Sequence, residues 1–451
     1  MNKKTIGNEP IYDARTLGAP RMLVLGFQHM FAMFGATVLV PTLTGLSVST
    51  TLLFAGLGTL LFHLLAKGKV PAFLGSSFAF LGGYAAIAPM LENPNSPGVF
   101  NVPNTELLPY ACFGVACAGL VYLVLSLLFK VFGVRKVMRF FPPIVTGPII
   151  IAIGLSLSSS AVNNCATSWP VALVAILVVI VCNIWGKGMI KIIPILLGVI
   201  ASYLVGAVSG QVDFTAVREA AWIGLPVTWS ETVFGLFGSG NVDTAMLATA
   251  AITIIPISLA TMVEHIGDMC AISSTCGRNY IQEPGLHRTL LGDGLATSLA
   301  ALFGAPANTT YGENTGVLAL SKVYDPRVIR IAAVLAIIFS FCPKFAEVVH
   351  AMPTAAIGGV SLVLYGMISA VGVRNVVENK VDFTKSRNVI IAALILVLAI
   401  GVTYSGTGAV KIGTVSFSGL ATAAIVGIAL NAILPGKDYE FGSDLQGDTS
   451  V

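Results

Sequence analysis

Charge is what this sequence has least of. Lys and Arg number 25 and Asp and Glu 21, together 10% of 451 residues, against about 25% in an ordinary soluble domain. With 55% of the chain hydrophobic, that scarcity excludes a water-soluble globule and predicts an integral membrane protein. Two-residue alternation is also missing. Runs such as "VALVAILVVIVCNIW" (171–185) have none of the outward-apolar, inward-polar pattern of a membrane strand, so the spans are expected to be helices. The seven cysteines include no CxxC pair and read as small apolar groups rather than metal ligands. HExxH, GxSxG and diphosphate-binding acidic clusters are lacking, which argues against a membrane-embedded enzyme. No motif calls for a metal or a cofactor, and none predicts a nucleic-acid partner. The first twenty residues contain no apolar h-region; the expectation is no cleavable signal, with the first span serving for insertion.

Apolar runs long enough to cross the hydrocarbon as helix recur about fourteen times, at roughly 22–44, 48–66, 71–89, 108–129, 143–160, 169–186, 191–209, 244–264, 288–304, 311–321, 328–345, 353–373, 388–405 and 415–434. If they alternate from a cytoplasmic N-terminus, every cation except Arg218, Lys344 and Lys411 falls in a tail or loop on the inner side, as the positive-inside rule requires. Both termini are therefore expected in the cytoplasm.

Similar stretches recur in the two halves. "FQHMFAMFG" and "VEHIGDMCA" place His29 and His265 236 positions apart. "VPAFLGSSFAF" and "GAPANTTYGEN" place Pro71 and Pro306 235 apart, and Ser77 and Thr310 233 apart. Seven spans separate the copies, and an odd number reverses orientation, so two inverted repeats of seven helices are expected. In each copy the third span is interrupted by small polar residues, Gly75-Ser76-Ser77 and Asn308-Thr309-Thr310. Matched breaks of this kind point to a midplane site where unwound backbone and half-helix N-termini meet a ligand.

Ionisable groups deep in the hydrocarbon are costly and mostly face a cavity. The candidates here are Glu264 and Asp268, four apart and so on one helical face, Glu313 in the first turn of the short tenth span, His29 beside Gln28, His265 beside Glu264, and Asp293 between two glycines. Two carboxylates brought together in a dry cavity raise each other's pKa and favour sharing a proton. Such a pair suits proton-coupled transport of an uncharged ligand with N–H donors, because a carboxylate accepts two hydrogen bonds. His29 and His265 are read either as part of that site or as ties between helices. Asp293 reads as structural, binding a backbone amide. Phe78 comes just after the first break, where it can stack on a flat ring, and Tyr365 can face it from the twelfth span.

The "QH" of the first span, "GSSFAF", "EHIGD" and "YGENTGVLALSK" together resemble the motifs of the nucleobase–ascorbate transporter family, over about Leu17 to Leu434. Within that family the chain is most similar to the bacterial uracil permeases. The resemblance implies an all-α polytopic membrane protein of fourteen spans in a seven-plus-seven inverted repeat, with short extended segments opening spans 3 and 10. It implies an N-terminal tail (1–21), a core domain (22–140 and 244–346), a gate domain (141–243 and 347–436) and a C-terminal tail (437–451). Glu264 and Glu313 would hold the base by its ring N–H groups. Backbone at Phe78, Tyr311 and Gly312, beside Ser77, would bond its carbonyls. Phe78 would pack on the ring and Tyr365 would approach from the gate. Gln28, His29 and Asn314 would support the site, while Glu264, His265, Asp268 and Glu313 would couple proton entry to uptake. A homodimer in the bacterial cytoplasmic membrane is expected. Asp268 stands where certain uracil permeases carry histidine and is more like purine-transporting relatives, whereas Glu313 is the pyrimidine-like choice. Uracil is the expected substrate, with xanthine the alternative. An anion carrier of similar architecture is disfavoured by three acids with no deep Arg or Lys. Sodium coupling stays open, since broken-helix carbonyls with a carboxylate also hold that ion.

Overall fold

Helices fall at each of the fourteen places where apolar runs predict them. The computed structural model describes residues 6, 9–94, 100–133, 136, 137, 139, 142–238, 240, 242–412 and 415–436; the side chains of 34–36, 100, 101, 192, 260, 263, 313, 412, 415 and 416 lie outside the description. Outside it too are Lys3, Lys4, Arg135 and Lys437 and the tail expected from 437. Helices of eight or more residues, together with the helix α3, are numbered. They and the strands run α1 (Ala19–Thr44), α2 (Val48–Leu65), β1 (Leu74–Ser76), α3 (Leu81–Ile87), β2 (Leu91–Glu92), β3 (Phe100–Val102), α4 (Leu108–Phe132), α5 (Pro143–Ala166), α6 (Trp169–Trp185) and α7 (Pro194–Val208). Then come α8 (Thr244–Ile254), α9 (Ile257–Cys276), α10 (Leu286–Leu302), β4 (Asn308–Thr310), α11 (Glu313–Ser321), α12 (Pro326–Ser340), α13 (Pro343–His350), α14 (Thr354–Glu378), α15 (Ser386–Thr403), β5 (Ala409–Ile412), β6 (Val415–Ser418) and α16 (Gly419–Ile433).

Among the described residues, seven stretches are long and apolar enough to cross a bilayer unaided: α1, α2, α4, α5, α8 with α9, α14 and α15. An eighth is α12 with α13, bent by 85° where Pro343 opens the second helix. Shorter apolar helices stand at Phe78–Ile87, α6, α7 and α16. The remaining expected spans, α10 and α11, owe little to hydropathy. Most of α10 is buried inside the protein, so it meets protein rather than lipid and can carry Asp293.

Three expected boundaries are corrected. The eighth span does not end at 264: after a break at Pro256 the helix runs on to Cys276, which places Glu264 mid-helix. The eleventh bends between Ser340 and Pro343. Residues 415–418 are not helix but pair as β6 with β5, and β2 pairs with β3, so the fold carries two short hairpins beyond the expected extended segments.

Two polar faces bound the helices. On one, Ile11 bridges Val323, the Tyr12 hydroxyl donates to Cys276 O at 2.7 Å, Arg327 reaches Asp13 at 3.3 Å, and Lys69 pairs with Glu283. On the other, Thr50 Oγ1 donates to Pro226 O at 2.5 Å and Lys344 Nζ donates to Val217 O at 2.9 Å. Arg218 and Lys344, two of the three cations expected outside, lie on this second face. Within the bundle, α5 packs extensively on α14, as α4 does on α10 and α2 on α12.

Candidate functional site: two interrupted helices that pair

Both breaks begin at a proline. Pro71 and Pro306 cannot donate a backbone hydrogen bond and push the preceding residue out of helical geometry. Gly304, at φ +82°, closes α10 just before the second. The chain then runs extended for three residues in each half, and the two segments pair antiparallel: Leu74 with Thr310, Gly75 with Thr309, Ser76 with Asn308. Ser77 N donates to Ala307 O and Tyr311 N to Phe73 O, each at 2.9 Å, extending the ladder at both ends.

A two-stranded ribbon within the bundle leaves outer-edge amides and carbonyls that hydrocarbon cannot satisfy. Side chains meet them. On the β1 edge, Thr59 Oγ1 accepts from Leu74 N at 2.9 Å, and His63 Nε2 bonds Ala72 O at 2.8 Å. On the β4 edge, Asp293 Oδ1 accepts from Thr310 N at 2.8 Å and from Thr310 Oγ1 at 2.9 Å. Thr297 Oγ1 donates to Asn308 O at 2.9 Å. Asp293 thus binds a backbone amide, as its setting between two glycines predicts. His265 is fully buried: Nδ1 bonds Thr310 Oγ1 at 2.8 Å, Nε2 bonds Thr289 Oγ1 at 2.9 Å, and Asp293 Oδ2 lies 3.6 Å from Nδ1. The imidazole ties α9, α10 and β4 together.

The ring of Tyr311 folds over β1. Its hydroxyl donates to Ser76 O at 2.7 Å and lies 3.1 Å from Ser76 Oγ and 3.3 Å from Thr37 Oγ1. A methyl group on Gly75 would sit 2.7 Å from that ring, so glycine is required where the ring crosses the strand. Thr37, Thr59, Thr289 and Thr297 support the paired strands and the groups bonded to them, and sequence reasoning missed them; a threonine in an apolar run looks like packing.

Beyond the ribbon the halves diverge. After β1 comes a single tight turn, Phe78–Phe80, with Ser77, Phe78 and Phe80 buried. After β4 the helix α11 starts at Glu313, preceded by Gly312 with no capping side chain. The Glu313 side chain, and so its expected meeting with Glu264, lies outside the described residues. Glu264 and Gly267 on α9 are solvent-exposed and Asp268 half-buried. Asp268 packs against the start of α11, its Oδ1 lying 2.8 Å from where a Gly312 methyl would be. Asn314 Nδ2 donates to His29 O at 3.3 Å. His29 Nε2, Asn314 Oδ1 and Thr315 Oγ1 are buried without a hydrogen-bond partner among the described residues. Gln28 is half-buried on the same helix as His29. Tyr365 is buried on α14.

Exposed faces elsewhere are built from large apolar residues: Leu120, Val124, Leu127 and Val131 on α4, Leu173, Leu177, Val181 and Ile184 on α6. The exposed positions of α9 and most of those on α11 differ. Glu264, Gly267 and Ser274, with Gly312, Gly316 and Ala319, are small or acidic, a composition that suits water rather than lipid.

The profile described as "Permease family" matches residues 20–407. The chain is 41% identical over 448 residues to the uracil permease of Bacillus caldolyticus, covering 97% of this chain and 96% of the relative. It is 39% identical to the uracil permease of Bacillus subtilis (strain 168), covering 94% and 93%. The transmembrane domain of the cyanobacterial bicarbonate transporter BicA shares the fold at a TM-score of 0.56 and 15% identity, over 92% of this chain and 99% of that one. Paired helix breaks, a composition suited only to the bilayer and end-to-end likeness to permeases lead to one assignment: this chain is a multi-pass membrane transporter belonging to the nucleobase–ascorbate transporter family.

Proposed function

We propose that the chain carries uracil into the cell across the bacterial cytoplasmic membrane, coupled to proton entry. Glu264 and Glu313 accept the two ring N–H groups of the base, which as a neutral donor needs acceptors and no cation. The backbone at Phe78, Tyr311 and Gly312, beside Ser77, hydrogen-bonds its carbonyls. Phe78 packs against one ring face, and Tyr365 approaches from the opposite domain. Asp268, against the first turn of α11, shares the coupling proton with Glu264 and Glu313. His265, with both nitrogens engaged, enters that set through Asp293 rather than by facing the base. His29, Gln28 and Asn314 support the first turn of α11.

The observation that carries this reading is the antiparallel pairing of the two breaks, with Glu264 and Asp268 one turn apart on the adjoining helix. The likeness to uracil permeases supports the substrate. Fourteen spans in two inverted halves belong to the same proposal, as do a core (22–140, 244–346) moving against a gate (141–243, 347–436), cytoplasmic termini and a homodimer. Thr59 and Asp293, 234 positions apart, each accept the amide of a strand residue, Leu74 and Thr310, that are 236 apart, which supports the inverted repeat. The denser packing of α5 with α14 and of α4 with α10 supports the two domains.

The test is uptake of labelled uracil and of labelled xanthine by proteoliposomes, with and without an imposed proton gradient, for the parent and Glu313→Gln. Uracil is expected to accumulate only with the gradient, and the variant to fail. Accumulation driven by sodium, preference for xanthine, or a fully active Glu313→Gln would each overturn the corresponding assignment.

A further inference from the structure

We propose that residues 217–237 are an interfacial anchor, seated in the headgroup–acyl boundary of the leaflet on the side away from the N-terminal segment. A loop in water would turn its polar side chains outward. This one exposes Trp222 by 72%, Ile223 by 83%, Leu225 by 87% and Trp229 by 64%, interleaved with exposed Arg218, Glu219 and Glu231, a mixture that suits the interface rather than bulk water.

The segment is held in place along its length. Gly224 N donates to Phe341 O at 3.0 Å and Lys344 N to Ala221 O at 3.1 Å. Lys344 Nζ donates to Val217 O and Arg218 O and stands 5.2 Å from the centre of the Trp222 ring. Thr50 Oγ1 donates to Pro226 O. The large apolar side chains are therefore presented by fixed backbone rather than exposed by loose chain.

Depth identifies the occupant. The segment is bonded to the first turn of α2 through Thr50, and to residues just past the end of α12 through Phe341. An aromatic ladder joins it to the end of α10. Trp229 stacks on Phe234 at 6.0 Å, Phe234 meets Phe303 edge-on at 5.3 Å, and Phe303 stacks at 5.2 Å on Phe54, which is buried within α2. The exposed tryptophans thus lie level with one end each of α2, α10 and α12, where the apolar α2 and α12 end and the hydrocarbon stops. Tryptophan is enriched at that boundary because its ring is apolar and its N–H needs a polar partner. The chain's other tryptophans, Trp169 and Trp185, are also exposed and stand at the two ends of α6, about 24 Å apart at helical rise. Lys344, with its ammonium over Trp222, suits the same level. Seated there, the segment fixes the height of α2, α10 and α12 in the bilayer.

Tryptophan emission of the full chain in phosphatidylcholine vesicles tests this, with the parent compared against Trp222→Phe and Trp229→Phe. Lipids brominated near the top of the acyl chain and iodide in the outer solution serve as quenchers. The emission missing from each variant is expected to be the part that shallow bromines quench, and to be shielded from iodide. Iodide quenching without lipid quenching would mean a loop in water and would overturn the proposal. Silence to both would mean cover by a second copy or by the chain itself, and would overturn it equally. If a variant fails to fold, a spin label on Leu225→Cys gives the same answer: greater collision with oxygen than with a water-soluble nickel complex supports the anchor, and the reverse refutes it.

Discussion

The two helix breaks are alike in backbone and unlike in chemistry. Each begins at a proline, extends for three residues and has a strand amide held by a side chain of the helix packed behind it. Behind β1 the acceptor is the Thr59 hydroxyl, with His63 nearby, and the strand leads into the buried turn that carries Phe78. Behind β4 it is the Asp293 carboxylate, with His265 beside it and Thr297 donating to Asn308 O, and the strand leads into an uncapped glycine and an acidic first turn. On the reading proposed above, this pairing of similar strands gives a ligand two different walls, one apolar and one rich in acceptors. Behind β4 a carboxylate bonds the strand directly, whereas behind β1 the Arg330 guanidinium meets it through His63, whose Nε2 bonds Ala72 O.

The comparison breaks most visibly at Asp293. Asp293→Ala leaves the Thr310 amide and hydroxyl buried without their acceptor, at about 1–3 kcal/mol per orphaned donor. A loss of stability near 3 kcal/mol, seen as a lowered thermal midpoint in detergent, is expected, with uptake abolished. Asp293→Asn keeps an acceptor and should lose less. Next comes Gly75→Ala, whose methyl would press on the Tyr311 ring at 2.7 Å; overpacking of this kind costs about 1–3 kcal/mol. Gly312→Ala meets only the Asp268 carboxylate, which can swing aside, so the thermal midpoint should hold while the Michaelis constant for uptake rises.

Thr59→Val orphans one donor and should cost about 1–2 kcal/mol, less than Asp293→Ala. Equal or reversed losses in the same melting experiment would show that the carboxylate has no special place. Smallest is Tyr311→Phe, which deletes the donation to Ser76 O and the looser contacts with Ser76 Oγ and Thr37 Oγ1, the latter keeping Met33 Sδ as acceptor; it should cost about 0.5–1.5 kcal/mol.

Much of this was legible beforehand. Pro71 and Pro306 with their glycines and small polar residues mark both breaks, and offsets of 233 to 236 between matching residues mark the repeat. Asp293 between two glycines was readable as an amide binder. The register of strands three residues long was not, because so short a run has no periodicity to read. Nor was the length of α9 legible. Its residues from Glu264 to Thr275 include two acids, a histidine and several hydroxyls, which lowers hydropathy although much of the helix faces protein or water rather than lipid. Threonine supports escaped notice since a hydroxyl in an apolar helix shows its partner only once the strand is in place. β6 was absorbed into the fourteenth span because a strand such as "VSFS" is apolar enough to pass for the start of a helix, and β5 fell in the loop before it.

Equilibrium binding of labelled uracil to the purified protein, for the parent and for Glu264→Gln, tests the central claim most directly. The account predicts saturable binding by the parent and loss of binding by the variant, with its thermal midpoint unchanged. A variant that binds uracil as the parent does would contradict it, since the acidic wall would then have no part in holding the base.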